Sequence, residues 1–271
     1  MFLLLMLQRT CKSAVNHRPA FLPGWQRVFS LVSASQIRNG NADRGLNQLA
    51  AVALAPWFRD NNNDNSDDHG DEDQHRSPAR VTFGALFEIS EDDFAALCGR
   101  EHRYEMRELD CFELPRASCS DEGGRLDNTD SNSNSNSNSD RSSDRSGQRP
   151  EQQAVKAFVV IESTDAVYHA KCAAEDAEEG RPEGSRFHEL IGRFYRGPLW
   201  GRRDILPVTK YLRFCVAAAR VIGGQRAVDN FLDTSFLADR TTSIRTVSEC
   251  RRRVPAGDVR PCQGGGLFAS S

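Results

Sequence analysis

The sequence lacks the features that mark several classes of protein. Its apolar N-terminal run, MFLLLML, is far shorter than the roughly 20 residues that a membrane-spanning helix needs. Its eight cysteines include no CxxC pair, and none is spaced with histidines as zinc ligands are. The formal net charge is only -3 over 271 residues, which gives no electrostatic basis for binding nucleic acid or an acidic membrane surface. We therefore expect no metal, nucleic-acid or membrane partner; the sequence leaves the oligomeric state open.

The cysteine pattern also bears on location. Without paired spacing, the cysteines indicate a reducing compartment, so we expect a cytoplasmic protein. MFLLLML lacks the basic start and the small-residue cleavage site of a signal peptide, and it is either a damaged targeting segment or the start of a buried strand or helix. Cys98 and Cys215 fall among apolar residues of predicted helices, where cysteine acts as a small buried hydrophobe.

Three tracts lack apolar positions at helix or strand spacing, namely residues 59–80, 113–154 and 250–271. The acidic segment NNNDNSDDHGDEDQH matches no EF-hand or zinc pattern, and the repeat SNSNSNSNS has no apolar member. We expect one domain over residues 19–249 with disordered insertions at 59–80 and 113–154. A segment of uncertain structure, residues 1–18, precedes it, and a disordered tail follows from residue 250.

Five segments of the remaining chain have the apolar and β-branched content of strands. They are WQRVFSLVSAS, LNQLAAVALAPW, ARVTFGALFEIS, YEMRELDCF and AVKAFVVIE. The first two flank QIRNGNADRG, whose glycine steps suit turns. In the third segment, Gly84 lies inside the run and marks either a bulge or a close approach of another group to the backbone.

Two helices have clear start signals. Ser90 can cap a short helix with an acidic first turn, an apolar stripe that includes Leu97, and a stop at Gly99. Pro207 suits the first turn of a longer helix over residues 208–222. Strands, a short helix, strands and then helices indicate an α+β fold with a small, mostly antiparallel sheet or barrel flanked by helices.

Glu101 follows the short helix directly and precedes a strand. One interpretation is a surface ion pair with a nearby arginine, namely Arg100, Arg103 or Arg107. The other is a carboxylate that projects from the helix end into a cavity, where partial loss of water makes a carboxylate a better base.

The segments GALFEIS, FAAL, REHRY, ILPVTKYLRFCVAAA and NFLDTSFLADRTTSIR occur in that order over residues 19–245. Together they resemble the gamma-glutamylcyclotransferase-like family. The resemblance implies a small β-barrel flanked by helices, with a cavity for a gamma-glutamyl group and no cofactor. It implies that Glu101 takes a proton from the substrate α-amine, which then closes 5-oxoproline, and that Tyr104 and Gly84 bind the substrate. The alternative for Tyr104 is a half-buried aromatic side chain of a strand.

The sequence departs from this family at its N-terminal side. Family members begin with a strand and a Y-G-S loop whose backbone N–H groups polarise the substrate carbonyl, and no such segment occurs here. We expect either that this N-terminus is truncated or misassigned, so that the chain as printed is nearly inactive, or that the protein is a non-catalytic binding protein on the same fold.

The long insertion allows a test of domain organisation. Deleting residues 121–148 removes a stretch that cannot offset its own ordering entropy by burial, so the melting temperature should stay nearly unchanged. Thermal unfolding followed by circular dichroism measures this, and a fall of more than about 3 °C would show that the segment packs on the domain.

Overall fold

A computed structural model of the chain describes residues 13–57, 81–114 and 153–253. The strands are β1 (Val15–Pro23), β2 (Trp25–Val32), β3 (Gln48–Pro56), β4 (Val81–Glu88), β5 (Glu105–Glu113), β6 (Ala154–Ile161), β7 (Leu206–Pro207) and β8 (Ser235–Leu237). The helices are α1 (Ala34–Arg38), α2 (Glu91–Arg100), α3 (Asp165–Glu178), α4 (Ser185–Phe187), α5 (Thr209–Thr234) and α6 (Ile244–Arg253), and a π-helical turn, His188–Gly192, follows α4.

The eight strands form one mixed sheet in the order β4-β1-β5-β6-β3-β2-β8, with β7 paired to β3. Strand β1 is antiparallel to β4 and β5, β5 is antiparallel to β6, and β2 is antiparallel to β3. The pairs β3–β6, β3–β7 and β2–β8 are parallel. The α+β class is thus confirmed, and the five strands predicted from sequence are all members of this sheet.

The expected barrel does not form, because no strand ladder closes the sheet within the described ranges. Side chains take the place of that ladder between β4 and β2. Asn230 of α5 accepts from the Phe83 N–H at 2.8 Å and donates to the Val81 carbonyl at 2.9 Å. The Arg27 guanidinium donates to the Phe83 carbonyl, and Thr82 Oγ1 donates to a β2 carbonyl at 2.6 Å. We call Arg27, Thr82 and Asn230 the edge bridge.

Gly84 lies within β4 and is buried opposite Ala20 of β1. The register is continuous from Arg18–Leu86 to Pro23–Val81, so the strand has no bulge at Gly84. The irregular pairing falls near Val15 instead. Of the two expectations for Gly84, the bulge is therefore wrong.

Helix α2 follows its predicted signals. Ser90 Oγ accepts from the Asp93 N–H at 3.3 Å, which caps the first turn, and Leu97 is buried. The helix passes Gly99 and ends at Arg100, and the Glu101 N–H then donates to the Leu97 carbonyl at 2.8 Å. One added residue thus places Glu101 at the C-cap.

Helix α3 was not predicted, although its signals are present. Thr164 Oγ1 accepts from the Val167 N–H at 3.2 Å and caps the first turn. Tyr168, Cys172 and Asp176 are buried at four-residue intervals, so they lie on one face of the helix. Tyr168 and Cys172 on this face belong to the main hydrophobic core.

The long helix differs from its predicted bounds. Pro207 belongs to β7 at the edge of β3, and the helix begins at Thr209 rather than 208. The predicted stop at Gly223 is a kink: Gly224 has φ 60° and ψ -148°, a conformation open to glycine, and the helix resumes through Thr234. The second segment carries Asn230 to β4.

Several predicted boundaries shift by a few residues. Strand β1 begins at Val15, before residue 19, and α1 occupies the start of the segment expected to be turns. The insertion predicted over 113–154 has Glu113 and Ala154 inside paired strands, and α6 continues through Arg253. Four ranges lie outside the described residues, namely 1–12, 58–80, 115–152 and 254–271. They include MFLLLML, the first predicted insertion, the interior of the second, and the rest of the tail. No helix in the described ranges combines the length and apolarity needed to cross a membrane.

The packing of Phe231 provides a test of how α5 is held against the sheet. Its side chain is buried beneath the Arg27 guanidinium, 5.1 Å from the ring centroid. Phe231→Ala should lower the free energy of unfolding by about 3 to 5 kcal/mol, measured by urea denaturation. Phe214→Ala is the matched control, because Phe214 is on the same helix and 49% exposed. Equal effects of the two substitutions would contradict this packing.

Candidate active site

A cavity of about 410 Å³ lies where the end of α2 meets α1, β3 and the α3 and α5 helices. Six consecutive residues, Gly99 to Tyr104, line one part of it. Tyr168, Ile191 and Tyr211 supply apolar wall from other elements, and Ser33 to Gln36 supply polar wall at the start of α1. The volume falls in the range of small-ligand sites.

Glu101 reaches this cavity because the chain turns sharply after α2. The Tyr104 N–H donates to the Glu101 carbonyl at 2.8 Å, which closes a four-residue turn before β5 begins. The Glu101 side chain is 17% exposed and pairs with Arg100 Nε at 2.9 Å. Glu101 therefore lines a cavity and forms an ion pair with Arg100, but this pair is largely withdrawn from the surface where the first interpretation placed it.

Tyr104 fixes the end of this turn. Its hydroxyl donates to the Val52 carbonyl of β3 at 3.1 Å, and its ring meets Trp200 edge-on at 5.7 Å. Lys171 of α3 donates to the Tyr104 carbonyl at 2.8 Å. Tyr104 thus lines the cavity as a buried aromatic whose hydroxyl is already bound to the backbone.

His102 is oriented by α3. Its Nε2 lies 2.6 Å from Glu175 Oε1, and the other Glu175 oxygen accepts from Arg186 Nε at 2.8 Å. The Tyr168 ring meets the imidazole edge-on at 5.4 Å. Since a carboxylate only accepts, this contact places a proton on His102 Nε2.

Burial keeps two phenols of the cavity wall protonated, and also the thiol of Cys215, which contacts Tyr211. Burial raises the pKa of Tyr104 well above its ordinary value, with Glu101 adding to the effect and Arg103 opposing it. Burial likewise raises the pKa of Tyr211, where Glu101 is also among the smaller causes. Burial raises the pKa of the Cys215 thiol to about 12, so Cys215 is a buried thiol and not an activated nucleophile.

Of the predicted site residues, the structure brings Glu101 and Tyr104 together on the cavity wall. Gly84, on β4, is not among the lining residues. Sequence reasoning treated Arg103 only as an ion-pair partner and missed His102 and Tyr168. The cap at Thr164 and the four-residue spacing of α3 were the signals that could have located Tyr168.

Within the described ranges, no cluster of three or more His, Cys, Asp or Glu side chains could hold a metal ion. The cavity wall carries a carboxylate, an imidazole and guanidinium groups.

No protein-family model, curated protein or solved structure was found to match the chain.

The Tyr104 hydroxyl generates a pH-dependent prediction. At neutral pH, Tyr104→Phe should lower the free energy of unfolding by about 0.5 to 1.5 kcal/mol, because the hydrogen bond to the Val52 carbonyl is lost. Above about pH 10, Tyr104 ionises in the unfolded chain but stays protonated in the folded one. The free energy of unfolding of the parent protein therefore falls by up to about 1.4 kcal/mol per pH unit through this residue, and the Phe variant lacks this loss. Urea unfolding at neutral and alkaline pH should show the stability difference shrinking as pH rises. A difference that stays constant would contradict the buried hydroxyl.

Proposed function

We propose that the protein is a gamma-glutamylcyclotransferase-like enzyme that releases 5-oxoproline from a γ-glutamyl compound, with Glu101 as its general base. The observation that carries this proposal is the Glu101 carboxylate, largely withdrawn from solvent on the wall of a small-ligand cavity. The order of sequence segments that resemble the family supports the same assignment.

In the proposed reaction, the substrate folds back so that its α-amine faces its own γ-carbonyl carbon. Glu101 accepts a proton from the amine as the new N–C bond forms, and the γ-amide C–N bond then breaks. The proton leaves with the departing amine, so the carboxylate is restored and no oxidant or cofactor is consumed. Since both reacting groups belong to one molecule, holding the folded-back pose supplies much of the acceleration.

The cavity walls suit this task. Tyr168, Ile191 and Tyr211 are buried aromatic and apolar side chains, so a substrate seated against them displaces water from the space beside Glu101. Fewer competing waters strengthen the interaction between the carboxylate and the amine proton.

The Arg100 ion pair favours a second candidate, a non-catalytic ligand-binding protein on the same fold. Glu101 Oε1 already accepts a hydrogen bond from Arg100 Nε at 2.9 Å, so part of the carboxylate is held by a structural contact and is not free to take the substrate proton. In this case the cavity would bind a γ-glutamyl compound without turning it over.

The two candidates are separated by 5-oxoproline release, measured for the printed chain and for a version that carries an added N-terminal Y-G-S strand and loop. Glu101→Gln keeps the shape of the side chain and removes the proton acceptor, so the rate of the extended protein should fall about 10²-fold or more. The printed chain should be slower than the extended one by about 10² to 10³, the cost of a lost oxyanion donor.

Glu105→Gln is the matched control. Glu105 starts β5 close to the turn, its side chain is 37% exposed, and its nearest basic partner is Arg107 at 3.9 Å. This variant should keep the parental rate. Equal rates for the extended protein and its Glu101→Gln variant would exclude Glu101 as the base, and no release from any protein would favour the binding candidate.

A further inference from the structure

Two polar atoms of the turn after α2 are buried without a hydrogen-bond partner among the described residues. They are His102 Nδ1 and Arg103 Nη1, and both residues line the cavity. Buried polar atoms in folded proteins are nearly always satisfied, so two such atoms on adjacent residues of a cavity wall are suited to a partner from outside the chain. A bound ligand or ordered water is the available source.

The charges on the cavity wall define what that partner is. The wall carries Arg38, Arg100 and Arg103 but a single carboxylate, Glu101. Arg100 is paired with Glu101 at 2.9 Å, whereas no ion pair engages Arg103 in the described ranges. Arg103 lines the same cavity as Tyr104 and Tyr168. The guanidinium therefore offers an uncompensated cation to an anionic ligand group.

His102 offers the complementary contact. Because its Nε2–H donates to Glu175 at 2.6 Å, Nδ1 of the neutral imidazole carries a lone pair and accepts a hydrogen bond. His102 therefore offers a hydrogen-bond acceptor, and Arg103 next to it offers a cation. This pair suits a ligand in which an N–H and a carboxylate are attached to the same carbon atom. An amide-linked amino acid has this arrangement.

We infer that Arg103 binds the carboxylate, and His102 Nδ1 the amide N–H, of the amino acid that departs from the γ-glutamyl group. The inference rests on the proposed function for the identity of the ligand. It selects γ-glutamyl amino acids as the substrate class over γ-glutamyl amines and over glutathione, in which the residue next to the γ-amide has no free carboxylate. A guanidinium suits this task because its paired N–H groups match the two carboxylate oxygens.

Binding of matched ligands tests the inference without requiring turnover. Isothermal titration in the Glu101→Gln background compares γ-glutamylalanine with γ-glutamylethylamine, which lacks only the departing-group carboxylate. The first should bind about tenfold to a hundredfold more tightly, as expected for one charge-assisted contact. Adding Arg103→Gln should abolish this preference while leaving the affinity for γ-glutamylethylamine unchanged.

Arg107→Gln is the control for charge, since Arg107 lies on β5 with its side chain 53% exposed, and it should keep the preference. Arg103→Lys, which keeps the charge but loses the paired geometry, should retain part of it. The preference is a ratio measured on one protein, so a partly unfolded preparation does not alter it.

A third ligand, 4-aminobutanoylalanine, lacks the α-carboxylate of the glutamyl group and separates the two carboxylate sources. Arg103→Gln should weaken its binding as it weakens that of γ-glutamylalanine. If the substitution instead weakens only ligands with the glutamyl α-carboxylate, the assignment to the departing group is wrong.

Binding of none of the three ligands, or a preference unchanged by Arg103→Gln, would overturn the inference. Tight, selective binding without 5-oxoproline release would leave the inference intact and refute only the catalytic proposal.

Discussion

Arg27 carries a charge into the interior, where its guanidinium lies between β2, β4 and α5. Burial lowers its pKa to about 10, so it remains protonated at neutral pH and its buried charge must be satisfied. It donates to Thr234 Oγ1 at 2.9 Å and to the Phe83 carbonyl, and it lies over the Phe231 ring. Together with Asn230 and Thr82, it joins β4 to the opposite part of the sheet, which no strand ladder does in the described ranges.

The candidate site depends on this arrangement through a short stretch of chain. Strand β4 leads directly into α2, and the C-cap of α2 is Glu101. Contacts from other elements then hold the turn that follows: Val52 accepts from Tyr104, Lys171 donates to the Tyr104 carbonyl, and Glu175 binds His102. A carboxylate, an imidazole and a guanidinium on consecutive residues are thereby presented to one cavity.

Local patterns predicted the strands β2 to β6 and the cap and first turn of α2, because these features depend on neighbouring residues. They also located Glu101 at a helix end. Strand β1 was missed because Pro19 and Pro23 obscure its apolar pattern, although both are tolerated where it pairs with β4. Asn230 of the edge bridge bonds to Val81, 149 positions away, and His102 meets Glu175 across the long insertion, so no local pattern contains either contact.

The most direct test of the account is a crystal structure of the Glu101→Gln variant with γ-glutamylalanine. The ligand should occupy the cavity beside α2, with its α-amine nitrogen about 3 Å from the residue 101 side chain, the distance that proton transfer requires. A ligand bound elsewhere, or bound in the cavity with its α-amine pointing away from residue 101, would contradict the assignment of Glu101 as the base.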